Sequence, residues 1–142
     1  MRMVIANWTR GDLPFMTRER IACVDDDRDH LLISKTILER SGYDVLTLSE
    51  TTNLIERLSH FGPSLIFMDH NMPKLTGIQA TRVLKNHPLL KNVPVIYLSS
   101  REDIEKVAAE AGADGWVPKT AKTVEFLASV RSHLHIVNDA GD

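Results

Sequence analysis

The 142-residue sequence holds a single cysteine, Cys23. No internal disulfide can staple the chain, and a reducing compartment is expected. Cys23 sits in the apolar run Ile21-Ala22-Cys23-Val24 and reads as a buried spectator. Long hydrophobic runs are also missing. No stretch nears the roughly 20 apolar residues that span a bilayer, so membrane insertion is not expected. The opening segment "MRMVIANWTRGDLPF" lacks both an apolar core and a small-residue cleavage site, which makes it a poor secretory signal. A cytoplasmic location is the expectation by elimination. Charge of one sign is lacking as well: 17 basic and 19 acidic residues leave a net charge of −2. No field is large enough to draw nucleic acid directly. The six histidines show no metal-binding spacing. What remains is 43% hydrophobic and 25% charged, the make-up of one ordinary globular domain.

Beyond residue 18, apolar runs alternate with helical periodicity. "RIACVD" (20–25), "YDVLTLS" (43–49), "SLIFMD" (64–69), "VPVIYLS" (93–99) and "GWVPK" (115–119) read as strands. Between and after them, helices are expected over 28–42, 50–62, 77–87, 101–112 and 123–137. The first should close at Gly42 and the fourth at Gly112. Ser49 or Thr51 is the expected cap of the second. This is a (βα)5 pattern, an α/β fold of the doubly wound, flavodoxin-like three-layer type. Its five-stranded parallel sheet is expected in the order 2-1-3-4-5. In such sheets ligands bind at the carboxyl ends of the strands, by the switch in strand order.

Those ends are polar. Strand one ends in Asp25-Asp26-Asp27, strand three in Asp69, strand four in Ser99-Ser100 and strand five in Lys119. Strands one and three flank the switch point, so Asp25, Asp26 and Asp69 should converge. Two such carboxylates 4 Å apart repel by roughly 4 kcal/mol at an effective dielectric near 20. A hard divalent cation with oxygen ligands would offset this, and Mg2+ characteristically takes one or two carboxylates beside a phosphate. Lys119 adds a compact positive charge.

The acidic "VDDD", "MDHNMPKLTG", "YLSS" and "AGADGWVPK" together resemble the receiver domain of bacterial two-component response regulators, in particular single-domain, chemotaxis-type receivers. The resemblance covers about residues 19–137. It leaves 1–18 as an N-terminal tail or accessory segment and 138–142 as a C-terminal tail. It implies that Asp69 is the phosphoacceptor. Asp25, Asp26 and Asp69 would hold Mg2+ (or Mn2+), with the backbone carbonyl of Asn71 as a further ligand. Ser99 would bond the phosphoryl group, Lys119 would pair with it, and Trp116 would be a rotating switch aromatic. Asn71 and Arg101 would flank the phosphoryl group and tune its lifetime. The implied partners are a histidine kinase or histidine phosphotransfer protein, and a downstream protein on the face of helix four, strand five and helix five. Such a chain is not an enzyme toward other molecules; it catalyses only its own phosphorylation and dephosphorylation. With no further pattern after the last helix, the expected output is a protein contact or a phosphoryl relay.

Plainer readings apply to several neighbours. Asp27 and Asp29 are expected to cap helix one and meet solvent. Asp25, Asp27 and Asp29 alternate like a calcium loop, but His30 and Thr36 stand at its glycine and glutamate positions. His70 is expected to face solvent. Two other functions are set against the receiver. A degenerate receiver would be an interaction module alone. A haloacid-dehalogenase-like phosphatase would use Asp25-x-Asp27, Ser99 and Lys119, but it leaves the Asp69 loop unexplained. One departure stands out. The family usually has proline after the lysine, joined by a cis bond; here Thr120 follows. A cis bond before a non-proline residue costs about 2.5–4 kcal/mol. A trans Lys119–Thr120 bond and a rearranged loop into helix five are therefore expected, with a longer contact from Lys119 to Asp69 or a water between them. Pro118 should lie where strand five needs no ladder bond, at the sheet edge.

Overall fold

The computed structural model describes residues 18–70, 72 and 74–141, with side chains through residue 134. Five strands alternate with five helices: β1 (Arg20–Val24), α1 (Arg28–Arg40), β2 (Asp44–Leu48), α2 (Leu54–Phe61), β3 (Leu65–Met68), α3 (Gly77–Lys85), β4 (Val95–Ser99), α4 (Ile104–Ala111), β5 (Gly115–Pro118) and α5 (Thr123–Gly141). The strands form one parallel sheet in the order β2-β1-β3-β4-β5, as the alternation implies.

Parity along the strands builds the two layers of core. Ala22, Val24, Ile66, Met68, Val95 and Tyr97 point to one face and pack on Leu58 of α2, Leu84 of α3 and Val107 of α4. Ile21, Cys23, Leu65, Phe67, Ile96 and Leu98 point to the other, against Leu31 and Leu38 of α1 and Phe126 and Val130 of α5. The central strands β1, β3 and β4 are buried on both faces, which is why they read as unbroken apolar runs. Cys23 is 2% exposed. Burial, and then the charge of Asp25, push its thiol up to about 12. That fits a spectator.

Element ends follow capping chemistry. Asp27 caps α1, its carboxylate accepting from the Asp29 and His30 amides. Gly42 follows that helix at φ 94° and Gly112 closes α4 at φ 79°, both as expected. Thr76 and Gln79 form a capping box at α3 that the sequence reading overlooked. Three boundaries differ from expectation. Helix α2 starts at Leu54 rather than 50, and neither Ser49 nor Thr51 caps it. Asn53 precedes it at φ 54°, a left-handed conformation that asparagine tolerates, with no side-chain cap bond. Helix α4 starts at Ile104 rather than 101, because Arg101 and Asp103 pair with each other ahead of it. Helix α5 runs on through the boundary placed at 137, to Gly141. The segment read as an N-terminal tail lies, up to residue 17, outside the described residues. Among the described residues, no helix is long and apolar enough to cross a membrane.

Candidate functional site

The sheet ladder continues one residue past the strands at the carboxyl edge. The amide of Asp25 donates to the Leu48 carbonyl at 3.0 Å, that of Asp69 to Val24 at 2.9 Å, and that of Lys119 to Ser99 at 3.0 Å. Each functional side chain therefore leaves a backbone that a neighbouring strand holds rigid. Pro118, which has no amide hydrogen, lies at the end of the edge strand β5, opposite Ser99. No peptide bond among the described residues is cis, so Lys119–Thr120 is trans. The chain turns there instead through a Pro118–Ala121 hydrogen bond of 2.9 Å.

Asp25, Asp26 and Asp69 converge as expected. One oxygen from each lies within 4.8 Å of the others, with Asp25 and Asp69 buried and Asp26 exposed. Lys119 enters from the opposite side. Its Nζ lies 3.0 Å from Oδ1 and 2.9 Å from Oδ2 of Asp25, and 3.5 Å from Oδ2 of Asp69. The contact to Asp69 is thus longer than the contacts to Asp25. Burial works against the ammonium, but the hydrogen bond to Asp25 and the charges of Asp69, Asp25 and Asp27 outweigh it and raise its pKa. Burial likewise pushes the Asp25 carboxyl up. Contacts from His30, the Asp27 amide and Lys119 overcome that and hold it at about 2.

Asp25 Oδ2 lies 3.1 Å from His30 Nδ1, yet neither atom has an aligned hydrogen-bond partner. These are ion-pair distances without hydrogen-bond angles, and Oδ2 also lies 2.9 Å from Lys119 Nζ. The three clustered side chains offer only carboxylate oxygens, a hard donor set that fits Mg2+ or Mn2+ better than zinc. The sequence reading weighed His30 only as a mismatch to a calcium loop and missed its approach to Asp25. The signal was its place three residues after the cap Asp27, in the turn that returns toward strand one.

Ser99 is 2% exposed at the end of β4, and its Oγ accepts the Arg101 amide at 3.2 Å. The guanidinium of Arg101 is held by Asp103 through two bonds of 2.7 Å. Trp116 stands half-exposed on β5 opposite Tyr97, on the edge of the sheet. Asn71 lies outside the described residues.

His70 corrects an expectation. It is 8% exposed rather than solvent-facing, and its ring lies 6.1 Å from that of Tyr97. The alternation Ile66, Met68, His70 carries it onto the α3/α4 side of the sheet. Burial, and then the charge of Arg101, lower its pKa, with Asp103 opposing. Beneath it, Tyr97 Oη and Thr81 Oγ1 share a 2.9 Å hydrogen bond, and Thr81 donates to the Gly77 carbonyl at 2.7 Å.

Residues 21–131 match the response regulator receiver domain family. Protein PilG of Pseudomonas aeruginosa is 28% identical over 117 residues, covering 81% of this chain and 87% of that one. The DNA-binding response regulator MtrA of Mycobacterium tuberculosis is 30% identical over 124 residues, 86% of this chain but 53% of MtrA. The chain thus spans about half the length of such regulators, and 18% of an uncharacterised 76.5 kDa protein of Thiocystis violacea. The crystal structure of the receiver domain of a signal transduction histidine kinase from Syntrophus aciditrophicus superposes with a TM-score of 0.74. It shares 32% identity and covers 82% of this chain and 90% of that one. Since the family match extends over well more than half of the sequence, this chain belongs to the response regulator receiver domain family.

Proposed function

We propose that the chain is a phosphoacceptor that takes one phosphoryl group on Asp69 in a Mg2+-dependent reaction. The donor would be a phosphohistidine of a histidine kinase or phosphotransfer protein. The observation that carries this reading is the convergence of Asp25, Asp26 and Asp69 within 4.8 Å, with Lys119 against two of them. Three carboxylates this close repel one another, and one lysine against two of them offsets only part of that repulsion.

An Asp69 oxygen attacks phosphorus in line as the bond from phosphorus to the imidazole nitrogen breaks. The imidazole keeps the electron pair and takes up a proton. Asp69 reacts from a fixed strand end, so positioning contributes much of the rate. Asp25, Asp26 and Asp69 would hold the metal, with the Asn71 carbonyl as a further ligand. Bound Mg2+ supplies neutralisation of charge on the transferring phosphoryl oxygens. Lys119 stays within reach of a phosphoryl oxygen on Asp69, and the Ser99 hydroxyl is free to donate to another. Water later attacks phosphorus, the Asp69 oxygen leaves as carboxylate and inorganic phosphate departs. Arg101, two residues past Ser99, would border that path. Trp116 and the α4–β5–α5 face would then present the phosphorylated state to a downstream protein, in the cytoplasm. Toward other molecules the chain is a signalling module and not an enzyme.

Intact-mass measurement after incubation with acetyl phosphate and Mg2+ tests the reading. The wild type should gain the mass of one phosphoryl group and lose that gain when Mg2+ is chelated. Asp69→Asn should gain nothing; the same labile adduct on that variant would refute the assignment.

A further inference from the structure

Helix α4 begins without the cap its sequence provides. Asp103 occupies the N-cap position, and aspartate is among the strongest capping residues, yet it makes no side-chain bond to the helix. Its two carboxylate oxygens are both taken by Arg101, Oδ1 by Nε and Oδ2 by Nη2, each at 2.7 Å. Its backbone is also wrong for capping, at φ −95° and ψ 21°. The caps that do bond their helices, Asp27 and Thr76, have ψ of 101° and 158°. The Glu105 and Lys106 amides, which a capping side chain would bond, therefore receive nothing from Asp103.

Resting on the receiver reading above, we infer that Arg101 and Asp103 form a latch in which a phosphoryl group on Asp69 competes with Asp103 for Arg101, and the freed Asp103 then caps α4. The latch sits within reach of the site. The Arg101 amide is bonded to Oγ of Ser99, at the end of the strand beside β3, which leads into Asp69. The competition has a clear direction. Asp103 offers one negative charge, half-exposed to solvent. An aspartyl phosphate offers close to two charges and three acceptor oxygens, which a guanidinium fork matches well. Movement of the Ser99 hydroxyl toward the phosphoryl group would draw the Arg101 backbone the same way. Once released, Asp103 would turn its carboxylate onto the first turn of α4 as its ψ moves from 21° toward the 101° and 158° of the bonded caps. Asp103 is thus a positioning residue. It would couple the chemistry at Asp69 to the order of a helix on the face assigned to partners.

Hydrogen exchange at the Glu105 and Lys106 amides tests the latch, with and without acetyl phosphate and Mg2+, phosphoryl occupancy being read by intact mass in every sample. In the wild type these amides should exchange about fivefold more slowly when the phosphoryl group is present, the size expected of a gained cap. Arg101→Ala frees Asp103 permanently, so exchange should be slow in both states. Asp103→Ala should still take up the phosphoryl group but exchange fast in both. A phosphoryl mass gain with unchanged exchange in the wild type overturns the latch alone, as does phosphorylation-dependent slowing in Asp103→Ala. Absence of any mass gain in the wild type overturns the receiver reading and the latch with it.

Discussion

Gly77→Ala should loosen the site that holds Asp69. A Cβ at this position would stand 2.9 Å from the His70 Cα, 3.1 Å from the Asp69 carbonyl oxygen and 3.4 Å from Tyr97 Cζ. Ordinary carbon contacts are about 3.5–4.0 Å, so the start of α3 must retreat by roughly half an ångström or more. Two of the three obstacles are backbone, which cannot swing aside. The retreat also strains the Gly77 amide bond to the His70 carbonyl, now 3.0 Å. Overpacking of this kind costs about 1–3 kcal/mol. Alanine returns at most about 1 kcal/mol of helix propensity, and less at a first helical position. A net loss of about 1–2 kcal/mol should lower the melting temperature by about 3–7 °C in a chain of this size. Phosphoryl uptake should fall further than stability does, because misplacing a reacting group by about 1 Å can cost about 100-fold. Gly115→Ala is the control. Its Cβ would meet the tip of His133 at 2.7 Å, a side chain that can move and give up its 3.2 Å contact to the Asp114 carbonyl. It should cost under about 1 kcal/mol, the worth of one half-exposed hydrogen bond. A Gly77→Ala protein that melts at or above the wild type and takes up phosphoryl at the same rate would refute the close-packing argument.

Three further outcomes follow from the same geometry. Because the folded protein depresses the Asp25 carboxyl from 3.8 to about 2, its contribution is complete above pH 4 and is lost as pH falls toward 2. That contribution is about 2 kcal/mol; urea unfolding of metal-free protein should show the slope, and Asp25→Asn should flatten it. Cys23, with its thiol near 12, should resist iodoacetamide at pH 8 by about three orders of magnitude relative to a free thiol, until denaturant is added; fast labelling of the native protein would contradict its burial. Trp116 fluorescence, read in a Trp8→Phe background, should change on phosphorylation if this half-exposed ring turns inward; an invariant spectrum at full occupancy would remove it as the switch.

The fold was legible because its signals are redundant. Unbroken runs such as "LIFM" and "VIYLS" have the length of doubly buried strands, and their alternation with helices admits few topologies. The acidic cluster was legible for the same reason, since several strand ends carried charge at one edge. What escaped depended on single rotations of the chain. Asn53 enters a left-handed conformation that no flanking residue announces, and it displaces the start of α2. His70 was judged by its polarity, whereas strand alternation past Asp69 decides its side. Arg101 was placed by resemblance alone, and the short-range competitor at Asp103 was visible in "SREDI" only as ordinary helix-start acidity.

The departure at Thr120 shows how the site keeps its geometry when a family feature is missing. Lys119 must deliver its ammonium from the edge strand to carboxylates on β1 and β3. What fixes its starting point is the hydrogen bond from its own amide to Ser99, together with the turn closed from Ala121 to Pro118. Neither bond involves the side chain or ring of the following residue. Proline stands instead two places earlier, at Pro118, where the missing amide hydrogen falls at the end of the edge strand and its rigid φ begins the turn. Lys119 thus reaches Asp25 and Asp69 from a loop whose bond to Thr120 is trans. The remaining adjustment is taken up by the flexible lysine stem, which keeps 2.9 Å to Asp25 and lengthens to 3.5 Å at Asp69. The Asp69 oxygen is thus less tightly held by Lys119 than Asp25 is, which suits the proposed role of Asp69 as the group that leaves the lysine to attack phosphorus.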